Sequence, residues 1–373
     1  MKLFGLAILT PLLLVLAQPP FGWWPLAMCG LIPLTLLLRP GEQLKGRLLP
    51  AYLGGVALFL LGCYWLAESS PVNLILMTLA EALSFPFYLL LVRSFRRRSV
   101  PFAVVIPVAW VAVEFIRSHG PWNGFPWLLL GYSLHRPIVL AQAADLAGVF
   151  GLSALLAACN GLFLDAWLMR ARRGAALCRL GAALAIPALL FLYGQARMAS
   201  VLERESAGPV LAIAQAGVPQ GLKQRRESFF EILEHQMRTT SALIREGEPF
   251  DLLCWAETMF PYPLLHGDEE ESRERDREYV AESVVLPLLR DRGASLLIGC
   301  LTLEGALDPQ TDVYNSALLF DPEGLRVSRY SKTVLVPGGE FIPLRDLLPD
   351  SLGKVVDDLV MKITGGFLPR LAP

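Results

Sequence analysis

The apolar residues of this chain follow two different patterns, which change near residue 195. Before that point, long apolar stretches alternate with short polar connections; after it, short apolar runs alternate with polar stretches. A helix needs about 20 apolar residues to cross a bilayer, or somewhat fewer where flanking residues adapt. The first pattern predicts a membrane domain over residues 1–195 with about seven transmembrane helices, near 3–17, 22–38, 48–67, 71–92, 100–117, 145–169 and 176–194.

The first apolar stretch has an alternative interpretation as a cleaved signal peptide, because Lys2 precedes a short apolar run. Such peptides end in a cleavage site of small residues. Gln18, Pro19 and Pro20 follow the run instead and are more typical of a turn. We therefore expect a membrane helix here.

Residues 118–144 interrupt the apolar pattern and are rich in Gly, Pro and Trp. These residues disfavour a spanning helix, and aromatic side chains are typical of the membrane–water boundary. The segment is predicted to lie along the outer interface. It is either a lipid-facing wall beside an active site or an aromatic belt that anchors a connection.

Basic residues predict the orientation of the membrane domain, because cytoplasmic loops collect Lys and Arg. The clusters fall in every second connection: Arg39, Lys45 and Arg47; Arg93, Arg96, Arg97 and Arg98; and Arg170, Arg172, Arg173 and Arg179. With seven spans and Lys2 inside, everything after about residue 195 is predicted to lie on the outer face of the cytoplasmic membrane. An even number of spans would reverse this placement.

Composition supports a membrane protein and excludes several other classes. Of 373 residues, 54% are hydrophobic and 18% charged, with a mean hydropathy of +0.48, far too apolar for an ordinary soluble domain. The basic clusters are explained by topology, so we expect no nucleic-acid partner. A transporter is disfavoured because the spans contain few ionisable residues apart from Glu81, Glu114 and Asp165. The sequence contains neither a cluster of metal ligands nor a phosphate-binding glycine loop, so we expect no metal or cofactor.

The second half, residues 208–373, has the spacing of a layered α/β domain. Polar, helix-like stretches near 224–246 and 278–291 separate the apolar runs, as in βαβ units. Residues 321–324, with the sequence Asp-Pro-Glu-Gly, predict a hairpin turn. Strands are predicted near 210–216, 251–255, 295–301, 314–320 and 325–330.

Two charged residues stand beside predicted strands and are candidates for catalysis. Glu257 follows the apolar run 252–256 directly, and catalytic groups in open α/β sheets lie beyond the carboxyl ends of strands. A partly desolvated carboxylate there would suit a general base. Lys332 precedes the apolar run 334–337 and could stabilise an oxyanion. Taken singly, a solvated loop glutamate and a snorkelling strand-edge lysine are the commoner interpretations.

Several motifs together resemble one family. Trp255-Ala-Glu-Thr258, Tyr314-Asn-Ser316 and the stretch from Ser331 to Pro343 occur in the expected order, with Gly124-Phe-Pro-Trp127 in the interfacial loop. The chain resembles apolipoprotein N-acyltransferases over essentially its whole length. The resemblance implies a polytopic α-helical membrane bundle followed by a nitrilase-like (carbon–nitrogen hydrolase) α-β-β-α domain on the periplasmic face of the inner membrane of a bacterium.

The resemblance also implies a reaction. An acyl chain would pass from a phospholipid to the N-terminal S-diacylglyceryl cysteine of an apolipoprotein, through a thioester. Glu257 would be the base, Lys332 would stabilise the oxyanion, and Glu340 would be a second active-site glutamate that positions the lysine. Other residues would face the substrate or the lipid: Trp127, Phe125, Tyr314 and Asn315.

The resemblance implies a cysteine nucleophile downstream of Lys332, in a strand and turn with an Ile-Cys-Tyr-Glu-like sequence. The chain ends at Pro373 before such a motif, and Cys254 and Cys300, in apolar strand runs, are predicted to be structural. We therefore expect an N-terminal fragment of a longer enzyme whose nitrilase-like domain is incomplete. One alternative is a non-catalytic nitrilase-like membrane protein that binds a lipoprotein or another partner. A membrane-tethered amidase fits the catalytic pair but not the seven spans.

Overall fold

A computed structural model describes residues 2–38, 44–68, 71–96, 100–120, 124–219, 229–265, 280, 284, 288–303, 312–336, 340–342, 345–349 and 351–355. The chain divides into two compact units, Met1–Glu205 and Ser206–Pro373. The first unit is helical and the second contains a mixed sheet. The helix that ends the first unit continues to Leu202, past the change of pattern near residue 195.

The helices of the first unit pack around one apolar core, which includes Leu34, Phe59, Tyr88, Ile106 and Leu156. The helices are α1 (Lys2–Ala17), α2 (Ile32–Thr35), α3 (Lys45–Gly62), α4 (Pro71–Glu81), α5 (Ser84–Arg96), α6 (Phe102–His119), α7 (Ile138–Ala141), α8 (Ala144–Leu168) and α9 (Arg173–Leu202).

Within the described residues, four helical segments are long and apolar enough to cross a membrane. They are Pro71–Arg96, which combines α4 and α5, then α6, α8 and α9. Helices of this length and composition are typical of a membrane protein. The predicted spans near 3–17 and 48–67 overlap α1 and α3. Six of the seven predicted spans therefore correspond to helices.

The prediction of one spanning helix over residues 22–38 is wrong. The segment forms a short 3-10 helix, Trp24–Met28, and the single turn of α2. Pro25 and Pro33 stand at the starts of these two pieces. Proline lacks the backbone N–H that a continuing helix would need, so each proline begins a new helical piece rather than extending the one before.

Side chains from distant helices satisfy the backbone of this broken segment. The Asn160 side chain in α8 accepts from Leu31 N–H at 2.8 Å and donates to the Ala27 carbonyl at 2.8 Å. Thr10 in α1 accepts from Leu34 N–H at 2.9 Å. Irregular backbone at membrane depth is tolerated only where protein groups bind it in this way. A hydropathy pattern along the chain contains no information about hydrogen-bond partners on other helices.

The helices α6 and α8 approach each other closely where Gly161 faces the start of α6. A Cβ on Gly161 would lie within 2.2 Å of the Phe102 carbonyl oxygen, so only glycine fits. One turn further, the buried Asp165 side chain accepts from the N–H groups of Phe102 and Ala103 at 3.2 and 2.9 Å. Asp165 thus caps the N-terminus of α6 from a neighbouring helix.

The predicted interfacial segment, residues 118–144, is not a spanning helix. Helix α6 ends at His119, and the described residues from Gly124 onward contain a 3-10 helix, Leu130–His135, and the short α7. The location of this segment at the outer interface remains a prediction.

The second unit contains a six-stranded mixed sheet. Its strands are β1 (Leu211–Ala214), β2 (Leu252–Trp255), β3 (Leu264–Leu265), β4 (Ser295–Leu303), β5 (Val313–Phe320) and β6 (Arg326–Ser331). They lie in the order β1-β2-β4-β5-β6, with β3 pairing with β4; β1, β2 and β4 are parallel, and β4, β5 and β6 are antiparallel neighbours. Five of them confirm the predicted strands; β3 is too short to produce an apolar pattern.

One helix covers this sheet in the described part of the unit. It is α10 (Phe229–Glu246), which buries Ile232, Gln236 and Thr240. The Gln236 amide donates to the Ala214 carbonyl at 2.6 Å, and Trp255 Nε1 donates to Thr240 at 3.1 Å. The predicted hairpin turn at 321–324 is confirmed between β5 and β6. The predicted helix near 278–291 lies largely outside the described residues.

Candidate active site

Four polar side chains meet at one end of the sheet: Glu257, Asn315, Lys332 and Glu340. Glu257 follows β2, and Lys332 follows β6 directly. The backbone N–H of Lys332 donates to the carbonyl of Asn315 in β5 at 2.8 Å, which extends the β5–β6 pairing by one step and fixes where the lysine leaves the sheet. Three of the four residues thus owe their positions to strands.

The loop after β6 brings Glu340 back to the lysine. The N–H of Glu340 donates to the carbonyl of Val336 at 2.9 Å, and the N–H of Val336 donates to Glu340 Oε2 at 2.8 Å. This reciprocal pair holds Glu340 against Val336. It leaves Glu340 Oε1 directed at the other polar groups.

Lys332 and Asn315 each bridge the two glutamates. Lys332 Nζ lies 2.8 Å from Glu340 Oε1 and 3.2 Å from Glu257 Oε1. Asn315 Nδ2 donates to the same two oxygens, at 3.0 Å for Glu340 and through a short hydrogen bond for Glu257. An amide nitrogen has two hydrogens to donate, so both hydrogens of Asn315 Nδ2 go to the two carboxylates and hold them together.

The charges of this cluster stabilise one another. Burial lowers the pKa of Lys332, but its hydrogen bonds and its attraction to Glu340 and Glu257 outweigh this and raise the pKa. Burial raises the pKa of Glu340, but hydrogen bonds from Lys332, the Val336 N–H and Asn315 outweigh it and lower the pKa. At neutral pH the cluster therefore contains an ammonium and an ionised Glu340.

The two glutamates differ in their exposure to solvent. The side chain of Glu340 is 14% exposed, whereas that of Glu257 is 60% exposed. The predicted desolvated setting of Glu257 is therefore wrong: the apolar strand ends before the carboxylate, which projects into solvent. The described residues provide no hydrogen-bond partner for Glu257 Oε2, so this oxygen is accessible to an incoming group. Glu340 is instead mostly buried, and its two oxygens accept hydrogen bonds from Asn315, Lys332 and the N–H of Val336.

The turn that carries Glu257 is held in an unusual conformation. Thr258 has a φ of +54°, a region that non-glycine residues rarely adopt. The turn lies against Gly299 in β4, where a Cβ would come within 2.6 Å of Glu257 Cα. The N–H of Phe260 donates to the Gly299 carbonyl at 3.1 Å. Sequence reasoning missed Gly299, because its role depends on a neighbour from another strand.

Asn315 and its neighbour Tyr314 were predicted to face the substrate or the lipid, and that role stays a prediction. Asn315 is buried and binds the two glutamates. Tyr314 is half-buried and its side chain points to the opposite face of β5, since successive residues of a strand alternate.

Phe125 and Trp127, the other predicted lipid-facing residues, belong to the first unit. The Trp127 ring is 48% exposed and lies 4.9 Å from that of Trp65 and 6.3 Å from that of Phe125. The buried Arg117 side chain donates to the carbonyls of Phe125 and Trp127 at 3.0 and 2.6 Å. Its Nε atom lies 3.6 Å from Glu81. A buried cation thus holds the backbone of this aromatic loop.

The cysteines of the second unit do not match an active-site nucleophile. Cys300 is fully buried in β4. Cys254 lies within β2, and burial raises the pKa of its thiol, which disfavours the reactive thiolate. Within the described residues, no group of three His, Cys, Asp or Glu side chains could hold a metal ion.

Comparison with known proteins supports the resemblance in both halves of the chain. A model of the apolipoprotein N-acyltransferase N-terminal domain matches residues 11–162. A protein of Methylococcus capsulatus named apolipoprotein N-acyltransferase is 32% identical over 93% of this chain and 66% of its own length. Proteins of that name from Rhodopseudomonas palustris and Caulobacter vibrioides are 28% and 30% identical, over 98% and 91% of the chain and 69% and 64% of their own length.

The chain spans about two thirds of the length of these relatives. The aligned region includes most of both units, so the similarity extends well beyond the membrane helices. The chain belongs to the apolipoprotein N-acyltransferase family.

Proposed function

We propose that the protein is an apolipoprotein N-acyltransferase that uses Glu257, Lys332 and Glu340 as active-site residues. It would transfer an acyl chain from a phospholipid to the N-terminal S-diacylglyceryl cysteine of apolipoproteins, in lipoprotein maturation. The observation that carries this proposal is the contact of Lys332 Nζ with an exposed glutamate at 3.2 Å and an enclosed one at 2.8 Å. The names of the relatives support the same reaction.

The geometry supports different roles for the two glutamates. Glu257, with its accessible carboxylate, would take a proton first from a cysteine thiol and later from the acceptor amine. Glu340 would hold the ammonium of Lys332 in place. An ammonium has three hydrogens; among the described residues two go to the glutamates, which leaves one for a developing oxyanion.

The reaction would proceed in two balanced steps. In the first, the thiol gives its proton to Glu257, the sulfur attacks the ester carbonyl, and the lysophospholipid leaves with that proton. In the second, the acceptor amine attacks the thioester carbonyl and loses a proton to Glu257, which passes it to the departing thiolate. Each attack creates one oxyanion beside Lys332.

The thiol is not among the cysteines of Ser206–Pro373, as Cys254 and Cys300 lie within strands. We propose that a part of the protein beyond these 373 residues supplies it, as the greater length of the relatives allows. The second unit would then be part of a nitrilase-like α-β-β-α domain. The basic clusters support its location on the outer face of the cytoplasmic membrane, which a protease added outside spheroplasts would test by degrading this unit.

Acyl transfer can be measured in membranes that contain the protein, with the acylation of an apolipoprotein N-terminal peptide followed by mass spectrometry. We expect Glu257→Gln to slow transfer by about 10²- to 10⁴-fold, the usual contribution of a general base. Lys332→Ala should cost about 10²- to 10³-fold. Glu234→Gln and Lys354→Ala are matched controls, because both residues are exposed in the same unit, and should retain activity.

The experiment also separates the alternatives. Transfer at the normal rate in either active-site variant would contradict the assigned roles. A wild-type protein that binds an apolipoprotein but never acylates it would support the non-catalytic alternative. Hydrolysis of small soluble amides without transfer from lipid would support the amidase.

A further inference from the structure

An apolar groove lies between the end of α8 and the start of α9, in the first unit. Its volume is about 390 Å³. Both helices are among those long and apolar enough to span a membrane. Its apolar walls are formed by Phe163, Ala166 and Trp167 of α8 and by Ala176, Leu177 and Leu180 of α9.

Two arginines complete the lining of the groove, and nothing acidic lies nearby along the chain. Arg170 and Arg173 line it, and residues 166–202 contain no Asp or Glu. The preceding acid, Asp165, is buried, and both of its oxygens accept hydrogen bonds from the start of α6. Among the described residues, neither arginine forms an ion pair. The groove therefore combines apolar walls with an uncompensated positive charge.

Trp167 indicates the depth of the groove in a bilayer. Its ring is 53% exposed, and the Arg170 guanidinium lies 5.1 Å from the ring centre. Arg170 also donates to the Trp167 carbonyl at 3.0 Å. Tryptophan beside arginine is typical of the membrane–water boundary, so the guanidinium groups would lie at the level of lipid headgroups.

We propose that this groove binds an anionic phospholipid, with an acyl chain along the apolar walls and the phosphate group against Arg170 and Arg173. Guanidinium groups bind phosphate oxygens through paired, charge-assisted hydrogen bonds. Basic pockets between membrane helices are known to take anionic headgroups. The residues of this groove belong to the first unit, and those of the proposed chemistry belong to the second.

Native mass spectrometry of the purified protein in detergent tests this proposal. The protein is titrated with phosphatidylglycerol and, separately, with phosphatidylcholine. Detergent removes the surface potential of a bilayer, so retention of lipid reports a site rather than general attraction. We expect tighter binding of phosphatidylglycerol. Arg170→Gln with Arg173→Gln should weaken it by about tenfold or more for each arginine, because each substitution removes a hydrogen bond between charged groups.

Two further variants distinguish binding within the groove from attraction by positive charge alone. Ala176→Trp keeps both arginines but fills the groove, and should also weaken phosphatidylglycerol binding. Arg93→Gln with Arg96→Gln removes the same charge at the end of α5 and should bind as the wild type does. Thermal unfolding establishes that each variant is folded, and Ala176→Phe replaces Ala176→Trp where the larger ring prevents folding.

Three results would overturn the proposal: equal affinity for the two lipids, unchanged binding in the arginine double variant, or unchanged binding in the folded groove-filling variant. The last would show that charge attracts the lipid without the groove. None of these results depends on acyl transfer, so the proposal and the proposed function can fail separately.

Discussion

Replacing Gly299 with alanine should displace Glu257, the proposed catalytic base, without changing the side chain of Glu257. The new Cβ would lie 2.6 Å from Glu257 Cα, 2.7 Å from the Ala256 carbonyl oxygen and 2.9 Å from the Thr258 nitrogen. All three are backbone atoms of one turn, so no flexible side chain can move aside. The turn must retreat by about 0.8 Å to reach an ordinary contact of 3.4 Å.

This displacement has a cost in stability and a cost in rate. Forcing an extra carbon into a packed site costs about 1–3 kcal/mol of unfolding free energy. A misplacement of about 1 Å in a catalytic group can cost about 10²-fold in rate. We therefore expect Gly299→Ala to be folded, with a lower unfolding midpoint, and to transfer acyl chains about 10²-fold more slowly than the wild type.

The matched control is Gly208→Ala, in the same unit, where an added Cβ meets nothing within 4 Å. The rate of N-acylation and the thermal unfolding midpoint are measured for both variants and the wild type. The reasoning fails if Gly299→Ala transfers acyl chains at the wild-type rate, because the position of Glu257 would then be unimportant or the turn would be elsewhere.

Three other substitutions test neighbouring parts of the account. Asn315→Asp should remove the donors that hold Glu257 and Glu340 and add a third carboxylate, lowering stability by about 1–3 kcal/mol and reducing transfer; an unchanged unfolding midpoint would contradict this. Glu340→Gln should be less stable than the wild type at neutral pH, and this difference in unfolding free energy should shrink below pH 4.5, the ordinary pKa of a glutamate. The reason is that a carboxylate whose pKa is lowered by folding stabilises the protein only above its folded-state pKa. A difference that does not change with pH would refute the ion pair. Arg117→Lys should speed hydrogen exchange of the Phe125 amide, since one ammonium cannot replace the guanidinium fork; unchanged exchange would argue against the buried anchor.

The strands of the sheet could be predicted because each one is recognisable from its own residues. Strands β2, β4 and β5 are short apolar runs between polar stretches, and Glu257 and Lys332 were identifiable because each stands directly beside a strand. The contact between them joins residues 75 positions apart. The spacing of the two residues does not predict that contact. The family resemblance predicted that both residues belong to one active site, and the structure gives the geometry of their contact.

The two predictions that the structure corrects failed for different physical reasons. Residues 22–38 are apolar enough to span a membrane, yet Asn160 supports a broken backbone there from another helix. The strand before Glu257 is apolar, but the turn projects the carboxylate outward, and hydrophobicity along the chain carries no information about that direction.

Trapping the acyl-enzyme tests the proposed mechanism itself. Protein isolated from its native membrane is incubated with a phospholipid of one acyl composition, and its intact mass is measured before and after treatment with hydroxylamine, which cleaves thioesters. We predict a mass increase of one acyl chain, reversed by hydroxylamine, in the wild type and in Glu234→Gln but not in Glu257→Gln. An acyl adduct of equal yield in Glu257→Gln, or none in a wild-type protein that still acylates apolipoproteins, would contradict the account.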